Sequence, residues 1–150
     1  MRPIIPPPVI LIFYIGIAIG LDFLSPVDLL LGNARLPLAI LLAVLGIAVA
    51  VLGVMEFRRR DTTINPYKID AASTLVTSGV YRWTRNPMYL GLLLVLFGVV
   101  AYSQDVLALL APAAFIVTLN RLQIRPEERA MLQTFGEAYT AYEARTRRWI

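Results

Sequence analysis

Five polar residues at the edges of apolar stretches are the side chains of this sequence best suited to bind a small charged molecule. Arg85, Asn86 and Tyr89 stand at the start of one apolar run, and Glu127 and Glu128 follow the end of another. A guanidinium can hold a carboxylate through two parallel hydrogen bonds. Carboxylates accept hydrogen bonds from ammonium or hydroxyl groups, and an amide or a phenol supplies neutral hydrogen bonds. Because charges this close to hydrocarbon are costly unless paired or exposed in an aqueous cavity, we predict that these residues share one site.

The sequence contains no cysteine and no histidine, which narrows the chemistry further. Thiolate nucleophiles, cysteine-bound zinc and iron–sulfur clusters are excluded, and the commonest metal ligand and general base is missing. We therefore expect no metal site. The groups left to accept a proton are Glu127, Glu128, Asp70 or a tyrosine.

The composition is that of a membrane protein. Of the 150 residues, 58% are hydrophobic and 16% charged, and the mean hydropathy is +0.68, whereas soluble domains have roughly 25% charged residues. Four apolar stretches stand out: Val9–Leu24, Leu36–Met55, Met88–Tyr102 and Val106–Leu122. A membrane-spanning helix needs about 20 residues, so only the second has a comfortable length.

The pattern predicts an all-α integral membrane protein with about four transmembrane helices in a single domain, 1–150. Only Ser103, Gln104 and Asp105 join the last two apolar stretches, which predicts a short helical hairpin at an incompletely crossed part of the bilayer. Within the C-terminal segment Arg125–Ile150, apolar side chains recur at helical spacing: Met131, Phe135, Ala138 and Tyr142. This spacing predicts an amphipathic cytoplasmic helix.

The distribution of basic residues predicts the orientation. If Met1 is cytoplasmic and all four stretches cross, Arg35 is the only one of the 14 basic residues in an outer loop. Both termini are then cytoplasmic, since basic residues concentrate on that side. The positive charge therefore indicates contact with anionic lipid and no nucleic-acid partner.

Each polar element also has an ordinary structural interpretation. Arg82 and Arg85 can anchor the chain at the membrane surface, as can the aromatic residues beside them, and Pro126 can occupy the first position of a helix. The glycines, with Gly16 and Gly20 four residues apart and Gly46 and Gly53 in the second stretch, can allow close helix packing.

Taken together and in order, however, two blocks of the sequence resemble a known family. "TSGVYRWTRNPMYLG" at a helix start, an apolar hairpin, and then "RPEERAMLQTFGEAYTAYEARTRRWI" resemble the membrane methyltransferase superfamily of isoprenylcysteine carboxyl methyltransferases and phospholipid N-methyltransferases. The resemblance runs from about Thr62 to Ile150. Where the family often has histidine, this chain has Asn86, which cannot titrate.

The resemblance implies S-adenosylmethionine as cofactor, bound in a cytoplasmic cavity within 62–150. The residues it implies for cofactor binding are Tyr81, Arg82, Arg85, Asn86, Tyr89, Gly91, Glu127 and Glu128. Of these, Arg85, Asn86, Tyr89 and Glu128 are the predicted catalytic residues. The C-terminal residues it implies for substrate binding are Tyr139, Tyr142, Arg145 and Arg148.

The acceptor is predicted to be lipophilic and to reach the cavity from the bilayer, and its reacting group is left open. A carboxylate is already nucleophilic, whereas an ammonium must first lose a proton, so the absence of histidine mildly favours a carboxylate. Two other classes remain: an NADPH-dependent membrane lipid or sterol reductase, and a membrane scaffold without catalytic activity. Selective heat stabilisation by adenosylmethionine or its demethylated product, by NADPH, or by neither distinguishes the three.

Overall fold

The computed structural model describes residues 5–24, 31–59 and 74–150. Six α-helices occupy most of these ranges: α1 Pro7–Leu24, α2 Arg35–Arg59, α3 Pro87–Ser103, α4 Leu110–Leu119, α5 Arg125–Phe135 and α6 Glu137–Arg145. Asp70, a candidate proton acceptor, and the first part of the stretch that resembles the methyltransferases, 62–73, lie outside the described residues.

The predicted fold class is confirmed. Among the described residues, three helical segments are long and apolar enough to cross a membrane: Pro7–Leu24, Gly32–Arg59 and Leu107–Phe135. The third apolar stretch forms α3, a shorter apolar helix of 17 residues. Its connection to the next helix is the predicted tight turn, in which Gln104 adopts a left-handed conformation and Asp105 accepts a hydrogen bond from the backbone of Leu107.

The fourth apolar stretch differs from the expectation of a short helix. It continues without a break from Leu107 to Phe135, over 29 residues, because the five residues Asn120–Ile124 form a π-helical turn between α4 and α5. Pro126 has no N–H for a regular helical bond to Leu122, and its ring would crowd that carbonyl. Pro126 therefore stands near the first position of α5, as expected from the sequence, and the widened turn joins α5 to α4 without a gap.

The C-terminal segment is divided into two helices, and the expected single amphipathic helix is wrong in this detail. Gly136 has φ +51° and separates α5 from α6, since a left-handed residue cannot continue a right-handed helix. The break changes which residues face inward. Tyr139 is buried on α6, and Ala138 is exposed.

The helices alternate in direction around a central α3, which packs against α1, α2 and α4. At one end of the bundle the backbone N–H of Gly32 donates to Gln104, and the guanidinium of Arg35 lies 5.7 Å from the ring centre of Tyr102. At the other end Gln123 donates to the carbonyl of Ile5 over 2.6 Å. The start of α1 and the end of the long fourth segment therefore meet at this second end.

Glycines allow α2 and α3 to touch along their backbones. A Cβ atom on Gly46 would lie 2.5 Å from the carbonyl oxygen of Gly91, and one on Gly98 would lie 2.9 Å from that of Ala39. In contrast, a Cβ on Gly16 or Gly20 would meet no described residue within 4 Å. Close packing through small residues, which lipid-embedded helices favour, is thus present between α2 and α3, and within the described ranges the G-x-x-x-G step of α1 shows none.

This difference predicts opposite responses to the same substitution. Gly91→Ala would place a methyl group against the carbonyl of Gly46 and 2.8 Å from the Cβ of Ala50. We expect it to lower the free energy of unfolding by about 1–3 kcal/mol, the usual cost of overpacking. Thermal unfolding in detergent measures the change. Gly16→Ala is the matched control and should leave Tm unchanged or slightly raised; equal losses in both variants would contradict the packing argument.

Candidate functional site

A cavity of about 590 Å³ opens at the end of the bundle where α1 starts and α2 ends. Apolar side chains of α2 and α3, among them Val54 and Leu92, form one part of its wall. Polar side chains form another part of the wall: Arg85 just before α3, Glu127 in the first turn of α5 and Tyr139 on α6. The cavity combines an apolar surface with a few converging polar groups, as small-molecule sites generally do.

Arg85 lies between two carboxylates. Its Nη2 donates to Glu128 and its Nη1 to Glu143, each over 2.8 Å, and Nη1 also lies 3.3 Å from the backbone oxygen of Glu143. The side chain is only 8% exposed. Among the described residues its buried Nε atom has no hydrogen-bond partner. Arg85 was predicted to lie close to the glutamates of α5, and in the structure it contacts one of them, Glu128.

Glu128 is shared between two arginines. Besides Arg85, it accepts two hydrogen bonds from Arg148, one from Nε over 2.9 Å and one from Nη2 over 2.6 Å. The bond to Glu128 raises the pKa of Arg148 above its usual value. This two-point contact is a strong geometry for a charged pair, and it fixes the carboxylate of Glu128 between α3 and the C-terminal tail.

The C-terminal tail, Thr146–Ile150, lies against the segment before α3. The N–H of Arg85 donates to the carbonyl of Arg147, and the side chains of Thr84 and Asn86 both donate to the carbonyl of Arg148, over 3.2 and 2.9 Å. Asn86, which replaces the family's frequent histidine, thus holds the tail through its amide nitrogen. These bonds hold the tail against the segment that carries Arg85 and Asn86.

Tyr89 and Glu127 form the second polar pair in the cavity wall. The tyrosine hydroxyl donates to the glutamate over 2.5 Å, and both residues line the cavity. No arginine contact to Glu127 is present in the described part of the chain. The two adjacent glutamates are therefore held differently, since Glu128 is paired with two arginines and Glu127 is paired with a phenol.

Three buried tyrosines complete the cavity wall. Tyr142 donates to the carbonyl of Tyr81 over 2.7 Å, and the rings of Tyr139 and Tyr142 meet edge to face, 6.3 Å apart. Burial raises the pKa of Tyr139 to about 12 and raises the pKa values of Tyr81 and Tyr142 far above the ordinary value for a phenol. All three stay protonated at neutral pH and act as hydrogen-bond donors or aromatic surfaces, not as bases.

Glu56 at the end of α2 fixes the turn that carries Tyr81. Its carboxylate accepts a hydrogen bond from the hydroxyl of Ser78 over 2.8 Å. The next residue, Gly79, has φ +57°, and a Cβ there would lie 2.6 Å from the carboxyl carbon of Glu56. The turn Gly79–Arg82 can therefore sit directly on this carboxylate only because residue 79 is glycine.

The structure brings together most of the residues proposed from the sequence. Those lining the cavity are Tyr81, Arg85, Asn86, Tyr89, Glu127, Glu128, Tyr139 and Tyr142. Four others do not line it. Arg82 and Arg145 are exposed, Gly91 packs against Gly46, and Arg148 stands behind Glu128.

Sequence reasoning missed two carboxylates, Glu56 and Glu143. Glu143 follows Tyr142 on α6, and a pattern of charges between aromatic residues indicates only a solvated helix face. No local signal shows that α6 turns this residue toward Arg85. In the described ranges, 5–24, 31–59 and 74–150, no group of three possible metal ligands is clustered.

Comparison with known proteins identifies the family. Residues 34–138 match the phospholipid methyltransferase family. An uncharacterized protein of Haemophilus influenzae is 38% identical over 63 residues, which cover 42% of this chain and all of that protein. No solved structure matches the chain significantly. The match spans most of α2 and all of α3, α4 and α5, and the chain therefore belongs to the phospholipid methyltransferase family, as a membrane methyltransferase for lipid-type substrates.

Proposed function

We propose that the protein transfers a methyl group from S-adenosylmethionine to the headgroup amine of a membrane lipid. The observation that carries the proposal is the convergence of Arg85, Tyr89, Glu127 and Glu128 on one cavity whose opposite wall is apolar. Family members generally use this methyl donor. A lipid headgroup and a water-soluble donor can meet only where a polar pocket adjoins the hydrocarbon.

The residues around the cavity fit the chemical groups of the donor. Arg85 lines the cavity, and its guanidinium suits the α-carboxylate. The carboxylate of Glu128 suits the α-ammonium or the ribose hydroxyls, and the rings of Tyr81 and Tyr142 suit the adenine or the sulfonium, which favours aromatic faces. When bound, the cofactor supplies an electrophilic methyl group attached to sulfur.

Glu127 supports an amine as the acceptor. An ammonium headgroup must lose a proton before it can act as a nucleophile, and Glu127 is a carboxyl group in the cavity wall with no described arginine bound to it. It is therefore placed to accept that proton, which a carboxylate acceptor would not need to lose. Because Glu127 can take the proton of an ammonium group, the absence of histidine no longer favours a carboxylate acceptor. Tyr89 orients Glu127 through the short hydrogen bond between them.

The cavity is proposed to face the cytoplasm, with both termini on that side. Arg58, Arg59, Arg121 and Arg125 lie at the cavity end of the helices, whereas Arg35 lies at the opposite end beside Tyr102. Basic residues favour the cytoplasmic side of multi-pass proteins. The starts of α1 and α3 and the ends of α2 and of the long fourth segment would then meet anionic headgroups and the cellular pool of the donor.

Ligand binding to the purified protein tests this function. We expect S-adenosylhomocysteine, the demethylated product, to raise Tm in detergent, because a ligand at 100 times its Kd adds about 2.7 kcal/mol of stability. NADPH should give no shift. Protein incubated with lipid vesicles and isotopically labelled S-adenosylmethionine should label amine lipids, as read by mass spectrometry of the extract. Stabilisation by NADPH alone would favour a reductase, and stabilisation by neither ligand would favour a scaffold.

A further inference from the structure

Arg148 does not line the cavity, yet its guanidinium holds a carboxylate that does. Its Nε donates to Oε1 of Glu128 over 2.9 Å and its Nη2 to Oε2 over 2.6 Å, and Glu128 lies in the cavity wall. The sequence predicted that Arg148 binds substrate directly. In the structure, the member of this pair that lines the cavity is the carboxylate.

The two arginines that bind Glu128 contribute differently to its orientation. Arg85 reaches Oε1 alone, through Nη2 over 2.8 Å, and a single bond of this kind lets the carboxylate group rotate about it. Arg148 binds both oxygens, and a two-point contact with a planar guanidinium also fixes the plane of the carboxylate. The orientation of Glu128 in the cavity wall therefore depends on Arg148.

The same three bonds determine where Glu128 can accept a further hydrogen bond. A carboxylate offers about four acceptor positions, shared equally by its two oxygens. Among the described residues, Oε1 accepts from both arginines, whereas Oε2 accepts from Arg148 alone. The acceptor position that remains for a ligand is therefore on Oε2.

The backbone around Arg148 is fixed independently of its side chain. The hydroxyl of Thr84 and the amide nitrogen of Asn86 both donate to the carbonyl of residue 148. The indole N–H of Trp149 donates to Asn120 over 3.2 Å. Because none of these bonds involves the guanidinium, shortening the side chain should leave the tail in place. The side chain is also 32% exposed, so its ion pair adds little to stability.

We infer that Arg148 is a positioning residue, which raises the affinity of the site by holding Oε2 of Glu128 toward the ligand. This inference rests on the proposed function, in which Glu128 accepts from the α-ammonium or the ribose hydroxyls of the methyl donor. Arg148 itself contacts neither the donor nor the lipid. Without its guanidinium the carboxylate is present but no longer held in one orientation, and fixing it on binding costs affinity.

Arg148→Ala tests the inference in calorimetric titrations of the full-length protein in detergent. We expect S-adenosylhomocysteine to bind about tenfold more weakly than to wild type, the scale of one misplaced hydrogen bond to a charged group. Tm should change little. Arg148→Lys keeps the positive charge but lacks the two-point contact, and should recover only part of the affinity.

Arg147→Ala is the matched control. It removes the same charge from the neighbouring residue, whose side chain is exposed, and it keeps the carbonyl that accepts from the N–H of Arg85. Its affinity for S-adenosylhomocysteine should equal that of wild type.

Combination with Glu128→Ala separates positioning from a direct or general structural role. Glu128→Ala alone should weaken binding at least as much as Arg148→Ala. In that background Arg148→Ala should cause no further loss, because the carboxylate through which it acts is gone. The value of kcat/KM for S-adenosylmethionine, measured with a labelled methyl group, should follow the same cycle and extends it to variants that bind too weakly for calorimetry. Arg148→Lys takes the place of Arg148→Ala in the cycle if the alanine variant does not fold.

An equal further loss in the Glu128→Ala background would show that Arg148 acts on its own, and would overturn the inference. Wild-type affinity in folded Arg148→Ala or in folded Glu128→Ala would overturn it as well. In each of these cases wild type still binds S-adenosylhomocysteine and methylates amine lipids, so the proposed function stands. If wild type does not bind S-adenosylhomocysteine, the proposed function and the inference that depends on it both fall.

Discussion

Replacing Arg85 by alanine is expected to weaken the binding of S-adenosylhomocysteine at least 100-fold. The guanidinium is the cation in the cavity wall best placed to hold a carboxylate, and hydrogen bonds to charged groups contribute about 1.5–3 kcal/mol each. Two such bonds account for a loss of this size. Calorimetric titration of the purified variant measures it.

The same substitution should also lower Tm, since Glu128 and Glu143 would lose the cation that separates them. Removing one partner of a buried pair leaves the other charge uncompensated, which costs several kcal/mol in fully buried sites and less here, where Glu143 is half exposed. Arg85→Lys keeps the positive charge but lacks the planar guanidinium group. We expect it to restore Tm more fully than the affinity for S-adenosylhomocysteine.

Arg129→Ala is the control for this prediction. Arg129 is exposed on α5 and makes no ion pair within the described ranges, so both Tm and affinity should stay near wild type. An Arg85→Ala protein that folds and binds S-adenosylhomocysteine with wild-type affinity would remove Arg85 from the binding site.

Glu127→Gln is expected to reduce kcat for an amine lipid by about 100-fold or more, the usual contribution of a positioned general base. The amide has nearly the same shape and can still accept the hydrogen bond from Tyr89, but it neither attracts an ammonium nor takes its proton. Tm should change little. Transfer of a labelled methyl group to vesicle lipids, measured over a range of lipid concentrations, separates kcat from KM.

A pH series adds a second test of the same residue. As pH rises, more of the amine acceptor arrives unprotonated, so the rate of Glu127→Gln should approach that of wild type at alkaline pH. Tyr89→Phe keeps the carboxylate of Glu127 and removes the hydroxyl that donates to it, and should lower kcat about tenfold. Wild-type kcat in Glu127→Gln at neutral pH would be incompatible with Glu127 as the proton acceptor.

Contacts between distant segments decided what each glutamate does. Glu127 and Glu128 are adjacent in the sequence; both were predicted to bind the cofactor and Glu128 to be catalytic as well, yet one pairs with Tyr89 and the other with two arginines. The direction of a side chain on a helix depends on the helix register, which the π-helical turn Asn120–Ile124 alters.

The sequence by itself determined that this is an all-α membrane protein with a polar site at the helix ends, because hydrophobicity and charge act locally and can be read residue by residue. It also determined the family, through two blocks of residues in order. Only the tertiary structure decided that Glu143 and the tail carbonyl of Arg148 reach the segment before α3, because the break at Gly136 and the close approach of α2 to α3 set where distant parts of the chain meet. Such long-range contacts follow from packing geometry, and a linear pattern does not encode them in any short stretch.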